Sequence, residues 1–306
     1  MTGQSDFDKR ITRHSASSGA GSPDIWGIYE PDTGSIQYLC ADPETKKAAV
    51  IDVVQDFDSK SFKLSTESMD HLLDFAKEQG LTVDRVLDTH PHADHVMASA
   101  RLKELTGARN GIGEKAKDIA ELWRGYYNMP EAFNPERDFD DLFKDGDRFK
   151  IGNLDMRVML TTGHTMGSVT YICGDAAFVH DTFMQPDSGT ARADFPGGST
   201  EELWNSLQAI LDLPDNTRLF IGHDYGTDER DTPEWEATVA THKAENIHLK
   251  DGTTKEEYIR LRDKKDKTLD LPDRMLAALQ LNLRAGKLPE AESDGHHYLK
   301  LPVNKF

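Results

Sequence analysis

Four side chains of the types that bind metal ions fall within six consecutive residues of the chain. Residues 89–95 read Thr-His-Pro-His-Ala-Asp-His and directly follow an apolar segment. Side chains two apart on a strand point the same way, so His90 and His92 at a strand end would face one site. Asp94 and His95 stand where a following helix would begin and can close on that site from another side. Imidazole with carboxylate suits zinc or iron rather than calcium or magnesium. The alternative is a solvated polar loop, and this density of ligand types argues against it.

Three further segments place ligand-type residues where a predicted strand ends. His164 lies in a Gly-His-Thr turn, Asp181 follows an apolar run, and His223 lies in a Gly-His-Asp-Tyr sequence. Glycine lets the backbone turn sharply, so an imidazole beside it can be directed back towards a site. Each segment alone is typical of a turn or capping residue. Together with residues 89–95 they predict one metal site at the ends of several strands.

Composition limits the classes of partner. The 306 residues carry 36 Lys and Arg against 54 Asp and Glu, a net charge of −18. This acidity argues against nucleic acid and anionic membranes, and an anionic substrate would need a local basic group. Cys40 and Cys173 each lie in an apolar run and are predicted to be buried, while a disulfide between them stays open. No segment approaches the roughly 20 apolar residues of a membrane span. No signal core is apparent either, so we expect a cytoplasmic protein.

The pattern of apolar residues predicts a mixed α/β (α+β) fold. Period-2 runs predict strands, and 3.6-residue spacing predicts helices. The predicted strands are 25–29, 35–41, 48–54, 83–90, 148–151, 155–160, 169–173, 176–180 and 218–221, and the predicted helices are 65–79, 94–106, 114–128 and 200–211. Two β-rich blocks interleaved with helices suggest two sheets flanked by helices. We expect a disordered leader over 1–23, a domain over 24–230 and a C-terminal helical extension over 231–306.

The set of motifs over about residues 25–230 resembles the metallo-β-lactamase superfamily. This resemblance implies an αββα sandwich with the metal site at the edge of its two sheets. It implies one metal site at His90, His92 and His164, and a second at Asp94, His95 and His223, with Asp181 between them.

Details of the motifs are similar to those of persulfide dioxygenases within that superfamily. The first motif reads His-x-His-Ala-Asp-His with Pro91 at its second position, where glyoxalase II typically has another histidine. The last motif reads His-Asp-Tyr, where glyoxalase II usually has His-Glu-Tyr, and an Arg-x-Asp-Phe element begins at Arg192. His180 departs from the pattern, because these families usually have glycine before the metal aspartate. The extra imidazole would crowd the loop or hydrogen-bond the aspartate.

The resemblance to persulfide dioxygenases implies a specific assignment of roles. The implied iron ligands are His90, His164 and Asp181. The residues implied to support them, or to form a second metal site, are His92, Asp94, His95 and His223. Tyr225 would offer a hydroxyl to substrate or oxygen, with a buried core tyrosine as the alternative. Arg192 would shape the thiol pocket, with a loop arginine paired to Asp187 or Asp194 as the alternative. No protein nucleophile is implied.

Two functions therefore compete. The favoured one is a non-haem enzyme with one Fe(II) per chain that oxidises a low-molecular-weight thiol persulfide, such as glutathione persulfide, to sulfite and thiol. The alternative is a glyoxalase II-like hydrolase of thioesters or lactones with two zinc ions. The expected partners are the persulfide and O₂, without nucleic acid or membrane, and a homodimer is left open.

Overall fold

The computed structural model describes residues 10–250 and 252–306. The strands in chain order are β1 (Thr12–Ser15), β2 (Asp24–Glu30), β3 (Ser35–Ala41), β4 (Lys47–Ile51), β5 (Val54–Asp58), β6 (Lys63–Ser65), β7 (Thr82–Leu87), β8 (Val96–Met97), β9 (Arg109–Gly113), β10 (Asp141–Phe143), β11 (Arg148–Ile151), β12 (Leu154–Leu160), β13 (Val169–Cys173), β14 (Ala176–Phe178), β15 (Arg218–Phe220) and β16 (Glu236–Thr238). The helices are α1 (Glu67–Glu78), α2 (Ser99–Thr106), α3 (Ala116–Tyr127), α4 (Pro135–Asp138), α5 (Thr200–Leu211), α6 (Val239–Glu245), α7 (Lys255–Asp266) and α8 (Met275–Asn282), with a short 3-10 helix at His180–Thr182.

The strands form two large sheets and one small one. The first sheet has the order β1-β2-β3-β4-β7-β9-β10 and the second β11-β12-β13-β14-β15-β16, while β6-β5-β8 form the small sheet. In the first sheet β4, β7, β9 and β10 run parallel, and in the second β14 and β15 run parallel. The remaining pairs are antiparallel.

Apolar side chains fill the space between the two large sheets and between the sheets and the helices. The largest core cluster joins β3 and β4 of the first sheet to β12–β15 of the second, and it includes both Cys40 and Cys173 as free buried thiols. Leucines of α5, such as Leu203 and Leu207, complete this cluster. A second cluster, which includes Leu72 of α1 and Leu102 of α2, packs these two helices on the first sheet. Helices therefore cover two stacked sheets, which confirms the predicted αββα sandwich.

Many predicted elements agree with the structure to within two residues, including β11, β13 and α5. The predicted start of one helix is wrong, because α2 begins at Ser99 and not at residue 94. The residues before it form the loop 88–95 and the short strand β8, which pairs with β5. The predicted strand 48–54 is two strands, because Asp52 adopts a positive φ of 52° between them.

The N-terminal leader predicted to be disordered over 1–23 contains a strand. Thr12–Ser15 form β1, which pairs antiparallel with β2, and the His14 ring stacks on Trp26 with centroids 4.5 Å apart. The hydroxyls of Ser18 and Ser22 donate to Asp175, at 2.7 and 2.6 Å. The prediction is wrong for this part of the leader, because edge-strand pairing does not require an apolar sequence. Residues 1–9 lie outside the described residues.

The C-terminal part is only partly helical. The strand β16 lies beyond the predicted domain boundary at residue 230 and adds to the second sheet. The helices α6, α7 and α8 follow, but residues 287–306 contain neither helix nor strand. The helix α8 packs against α3 and β8, next to the loop that carries the first histidine motif. Within the described residues, no helix is long and apolar enough to cross a membrane.

Candidate metal centre

The ligand-type residues lie together because their strands end at one edge of the sandwich. The strands β4 and β7 are parallel neighbours, and Asp52 and His90 follow their carboxyl ends. The strands β14 and β15 are also parallel, with Asp181 and His223 just beyond them. Two antiparallel steps relate β12 to β14, so β12 runs in the same direction and brings His164 to the same edge.

Two histidines converge on one carboxylate oxygen. The Nε2 atoms of His90 and His164 lie 3.8 and 3.6 Å from Oδ2 of Asp181. Ligand atoms that each lie about 2.1 Å from one ion are roughly 3.0–3.4 Å apart, so these separations come close to those of a shared ion. All three residues are buried, and His164 and Asp181 also line a cavity. The structure thus brings together the three residues that the resemblance implies as iron ligands.

The hydrogen bonding of the histidines leaves atoms for a metal. Nε2 of His90, Nδ1 of His92 and Nε2 of His95 are buried and have no hydrogen-bond partner among the described residues. Unsatisfied buried nitrogens are costly unless something else satisfies them. Burial, followed by the neighbouring His92, holds the pKa of His90 well below its ordinary value. Burial likewise lowers the pKa of His164. Both imidazoles are therefore neutral, which is the form that binds metals.

Asp52 orients the motif from behind. Its carboxylate accepts from the backbone N–H of Thr89 at 2.8 Å and from the Thr89 hydroxyl at 3.0 Å. The same carboxylate lies 3.0 Å from Nε2 of His92, so the Nε2–H bond directs Nδ1 of His92 towards the site. Sequence reasoning missed Asp52, although it ends an apolar strand in the same way as the residues that were identified.

His223 bridges two carboxylates. Its Nδ1 lies 2.6 Å from Oδ1 of Asp181, and its Nε2 lies 2.6 Å from Oδ2 of Asp94. Burial lowers the pKa of His223, but the charges of Asp181 and Asp94 outweigh burial, and the net pKa lies well above the ordinary value. The hydroxyl of Ser35 lies 2.9 Å from the same Nε2 and 3.2 Å from Nδ1 of His95. The implied second metal set thus meets around Asp94 through hydrogen bonds.

Asn282 of α8 fixes the backbone of the first motif. Its Nδ2 donates to the carbonyl oxygens of His92 and His95, both at 2.8 Å, and its Oδ1 accepts from the N–H of Met97 at 2.8 Å. This residue is fully buried. The C-terminal helix therefore holds the metal loop in place, a contact across about 190 residues that no local pattern in the sequence reveals.

A cavity of about 510 Å³ opens beside His164, Asp181 and His223. Tyr225 lines it with 63% of its surface exposed, so it is not a buried core tyrosine, and its ring stacks on His223. The Arg192 side chain forms two hydrogen bonds to Asp194, at 2.6 and 2.8 Å, and one to the carbonyl of Asp270. Its own carbonyl lies 2.8 Å from Nδ1 of His164. The alternative of an arginine paired with Asp194 is therefore what the structure shows.

Another cation in the cavity wall was not predicted. Lys265 of α7 lines the cavity and is exposed, and its Nζ has no carboxylate within 4.0 Å in the part of the chain that the structure describes. Arg262 lies in the same wall but is buried and paired with Asp266 at 2.6 Å. An unpaired lysine is the kind of local basic group that an anionic substrate requires in so acidic a protein.

The aspartate of the His-Asp-Tyr motif has a structural role. Asp224 is buried and accepts from Arg230 at 3.0 Å and from the backbone N–H of Glu234 at 2.7 Å. Arg230 also binds Asp187 at 2.8 and 3.1 Å. The pair thereby ties the loop of His223 and Tyr225 to the loop around Asp187, which also lines the cavity.

The sequence matches the metallo-beta-lactamase superfamily over residues 38–223. The chain belongs to this superfamily. A beta-lactamase hydrolase-like protein of Agrobacterium fabrum is 50% identical over 293 residues, covering 96% of this chain and 68% of that protein. The mitochondrial persulfide dioxygenase ETHE1 of Bos taurus is 28% identical over 282 residues, covering 91% of this chain and 94% of that protein. The crystal structure of ETHE1 from Myxococcus xanthus superimposes with a TM-score of 0.68 at 28% identity, covering 86% and 99% of the two chains.

These similarities agree with the site. The matched region contains every histidine and aspartate that meets at the edge of the sandwich, from Asp52 to His223. The metallo-beta-lactamase fold and a buried His/Asp cluster able to hold a metal ion are therefore both present in this chain. Similarity to ETHE1 extends over the C-terminal helices as well, since the aligned segments cover about nine-tenths of each protein.

Proposed function

We propose that this protein is a mononuclear non-haem iron dioxygenase that oxidises a low-molecular-weight thiol persulfide. The observation that carries the proposal is the convergence of His90 and His164 on one oxygen of Asp181 beside the cavity. Two histidines and one carboxylate with open positions are the donor set of non-haem iron oxygenases. The similarity to the ETHE1 persulfide dioxygenases supports the same assignment.

The bonds of His223 support one ion rather than two. Both of its nitrogens lie 2.6 Å from carboxylate oxygens, one of Asp181 and one of Asp94. This spacing is that of a charged hydrogen bond and is shorter than the separation of two ligands on one ion. In this assignment His223 holds Asp181 in place, and His92, Asp94 and His95 surround the three ligands and support them.

The chemistry balances without a protein nucleophile. One thiol persulfide, one dioxygen and one water give one thiol, one sulfite and two protons, and the outer sulfur passes four electrons to dioxygen. Bound iron supplies the redox chemistry by which dioxygen reacts with that sulfur. The chain's residues do the rest: Asp181 and the two histidines fix the position of the reaction, and Tyr225 offers a hydroxyl at the cavity wall.

The cavity fits an anionic thiol carrier. Lys265 provides an unpaired positive charge there, and apolar side chains such as Met184, Phe195 and Leu269 cover other parts of the wall. A peptide-like thiol such as glutathione carries carboxylates that Lys265 can bind, while its persulfide reaches the ligand edge. Arg192 shapes the same wall through its bonds to Asp194 rather than as a free cation.

A dinuclear zinc hydrolase of thioesters or lactones is the second candidate. It is favoured by the name of the relative at 50% identity, a beta-lactamase hydrolase-like protein. The two functions differ in what they consume, so oxygen uptake with glutathione persulfide and hydrolysis of S-lactoylglutathione should be measured on one preparation. We expect oxygen uptake with sulfite release and no thioester hydrolysis. Hydrolysis by protein with two zinc ions per chain, without oxygen uptake, would establish the second candidate instead.

A further inference from the structure

His180 occupies an unusual backbone position for a residue with a large side chain. Its φ is +37°, in the left-handed region that favours glycine. The side chain is 3% exposed. A non-glycine residue persists in such a conformation only where its surroundings hold it there, and such residues cluster at functional sites. His180 immediately precedes Asp181.

The loop that follows the neighbouring strand β15 leaves room for this imidazole. Gly222 directly precedes His223, and a Cβ added to Gly222 would lie 2.4 Å from Cε1 and Nε2 of the His180 ring. Real Cβ atoms do not approach so closely, so the absence of a side chain at Gly222 creates the space that the ring fills. A glycine at 222 and a histidine at 180 are sterically matched.

The ring of His180 lies among ligand-type groups. Its centroid is 4.6 Å from that of His92 and 5.2 Å from that of His90. Its Nε2 lies 3.3 Å from Oδ2 of Asp52, and its Nδ1 lies 3.4 Å from Oδ1 of Asp181. Neither nitrogen has a hydrogen-bond partner of acceptable geometry within residues 10–250 and 252–306.

The carboxylate of Asp52 lies close to both His92 and His180, but of the two it hydrogen-bonds only His92. One carboxylate oxygen faces Nε2 of His92 and the other faces Nε2 of His180, at 3.0 and 3.3 Å. A carboxylate at one ring nitrogen fixes the tautomer, so that the other nitrogen carries the lone pair that binds a metal. Nδ1 of His92 therefore faces the site, and Nδ1 of His180, which has no hydrogen-bond partner among the described residues, is left free beside Asp181. The 3.4 Å between Nδ1 of His180 and Asp181 is the spacing expected of two ligands on one ion, about 3.0–3.4 Å.

We propose that His180 is an additional metal ligand of this centre, approaching from the buried side while His164 and Asp181 line the cavity. One ligand atom each from His90, His92, His180 and Asp181 lies within 4.8 Å of the others, so His180 is placed to join His90 and Asp181 on one ion, with His92 supporting them through Asp52. Three imidazoles and a carboxylate suit iron, zinc or cobalt. The inference rests on the metal centre itself and not on persulfide oxidation, so it holds whichever of the two reactions the protein catalyses.

Cobalt binding tests the proposal without any measurement of activity. Metal-free full-length protein is titrated with Co²⁺, and both the dissociation constant and the visible d–d spectrum are recorded for wild type and His180→Gly. Glycine suits the left-handed backbone and removes only the imidazole. We expect the affinity to fall at least 100-fold and the spectrum to change, because the set of coordinating atoms changes. His180→Asn is the second variant, since asparagine tolerates positive φ, and the same result is expected.

Two controls sharpen the result. His242→Gln removes another buried histidine with an unpartnered Nε2, and it should change neither affinity nor spectrum. Gly222→Ala should displace the His180 ring and weaken Co²⁺ binding in wild type, but it should have no further effect in His180→Gly. The proposal is overturned if His180→Gly or His180→Asn keeps the wild-type spectrum, whether affinity is unchanged or reduced. An equal effect of Gly222→Ala in both backgrounds would also overturn it.

Discussion

Two groups of buried histidines in this chain differ in what surrounds them. At the edge of the sandwich, His90 and His164 face the carboxylate of Asp181, and Nε2 of His90 has no hydrogen-bond partner among the described residues. In and just after α6, His242 packs on the ring of Phe183, and His248 accepts from the backbone N–H of Thr190 at 3.0 Å. Burial is common to both groups, and Nε2 of His242 also has no hydrogen-bond partner among the described residues, but only in the first group do carboxylates face the free ring nitrogens. A metal centre is therefore indicated by that combination and not by buried histidines.

The largest expected effect is on metal content. Asp181→Ala removes the carboxylate on which both histidines converge, so we expect the purified variant to carry almost no metal. His242→Gln, from the other group, should retain the wild-type amount. Elemental analysis of both proteins, with circular dichroism to confirm folding, checks the comparison. Wild-type metal content in Asp181→Ala would remove the distinction between the two groups.

The buried histidines of the second group should make the free energy of unfolding fall in acid. Burial lowers the pKa of His242 from 6.5 to about 4, so the folded state favours its neutral form. The stability from this group is present above pH 6.5 and is lost as the pH falls towards 4, because the unfolded chain takes up the proton first. The loss is about 3 kcal/mol at 1.36 kcal/mol per unit.

Urea unfolding with chelator present measures this effect apart from metal binding. The unfolding free energy of wild type should fall more between pH 7 and pH 4 than that of His242→Gln. An equal fall in the two proteins would mean that His242 is protonated as easily in the folded as in the unfolded state.

A smaller effect should separate substrate binding from metal binding. Lys265→Ala removes the unpaired charge of the cavity, and we expect KM for glutathione persulfide to rise about 3–10-fold, roughly 1 kcal/mol for an exposed charged contact. Metal content and kcat should stay unchanged. Arg192→Lys keeps a charge but breaks the two bonds to Asp194. If KM rises in Arg192→Lys but not in Lys265→Ala, Arg192 rather than Lys265 is the residue that forms the thiol pocket, as the resemblance implied.

The strand-end residues could be predicted from the sequence because each follows an apolar run. Asp52 also follows an apolar run, but the sequence predicts one strand over 48–54. The positive φ of Asp52 ends the first of two strands there, so this strand end could not be recognised. Asn282 and Lys265 could not be found, because their positions depend on how α7 and α8 pack. The strand β1 was missed because its residues are polar and partly or fully exposed, and pairing with β2 alone defines it.

Metal stoichiometry in His223→Ala tests the central claim most directly. The account has a single iron held by His90, His164 and Asp181, with His180 as the further ligand proposed above and His223 bound to Asp181 by a hydrogen bond of 2.6 Å. Loss of such a supporting residue typically costs roughly 10–100-fold in metal affinity or activity. We therefore expect wild type to carry about one iron per chain and His223→Ala to keep nearly all of it with reduced turnover. Two metal ions per chain in wild type and one in His223→Ala would contradict the account.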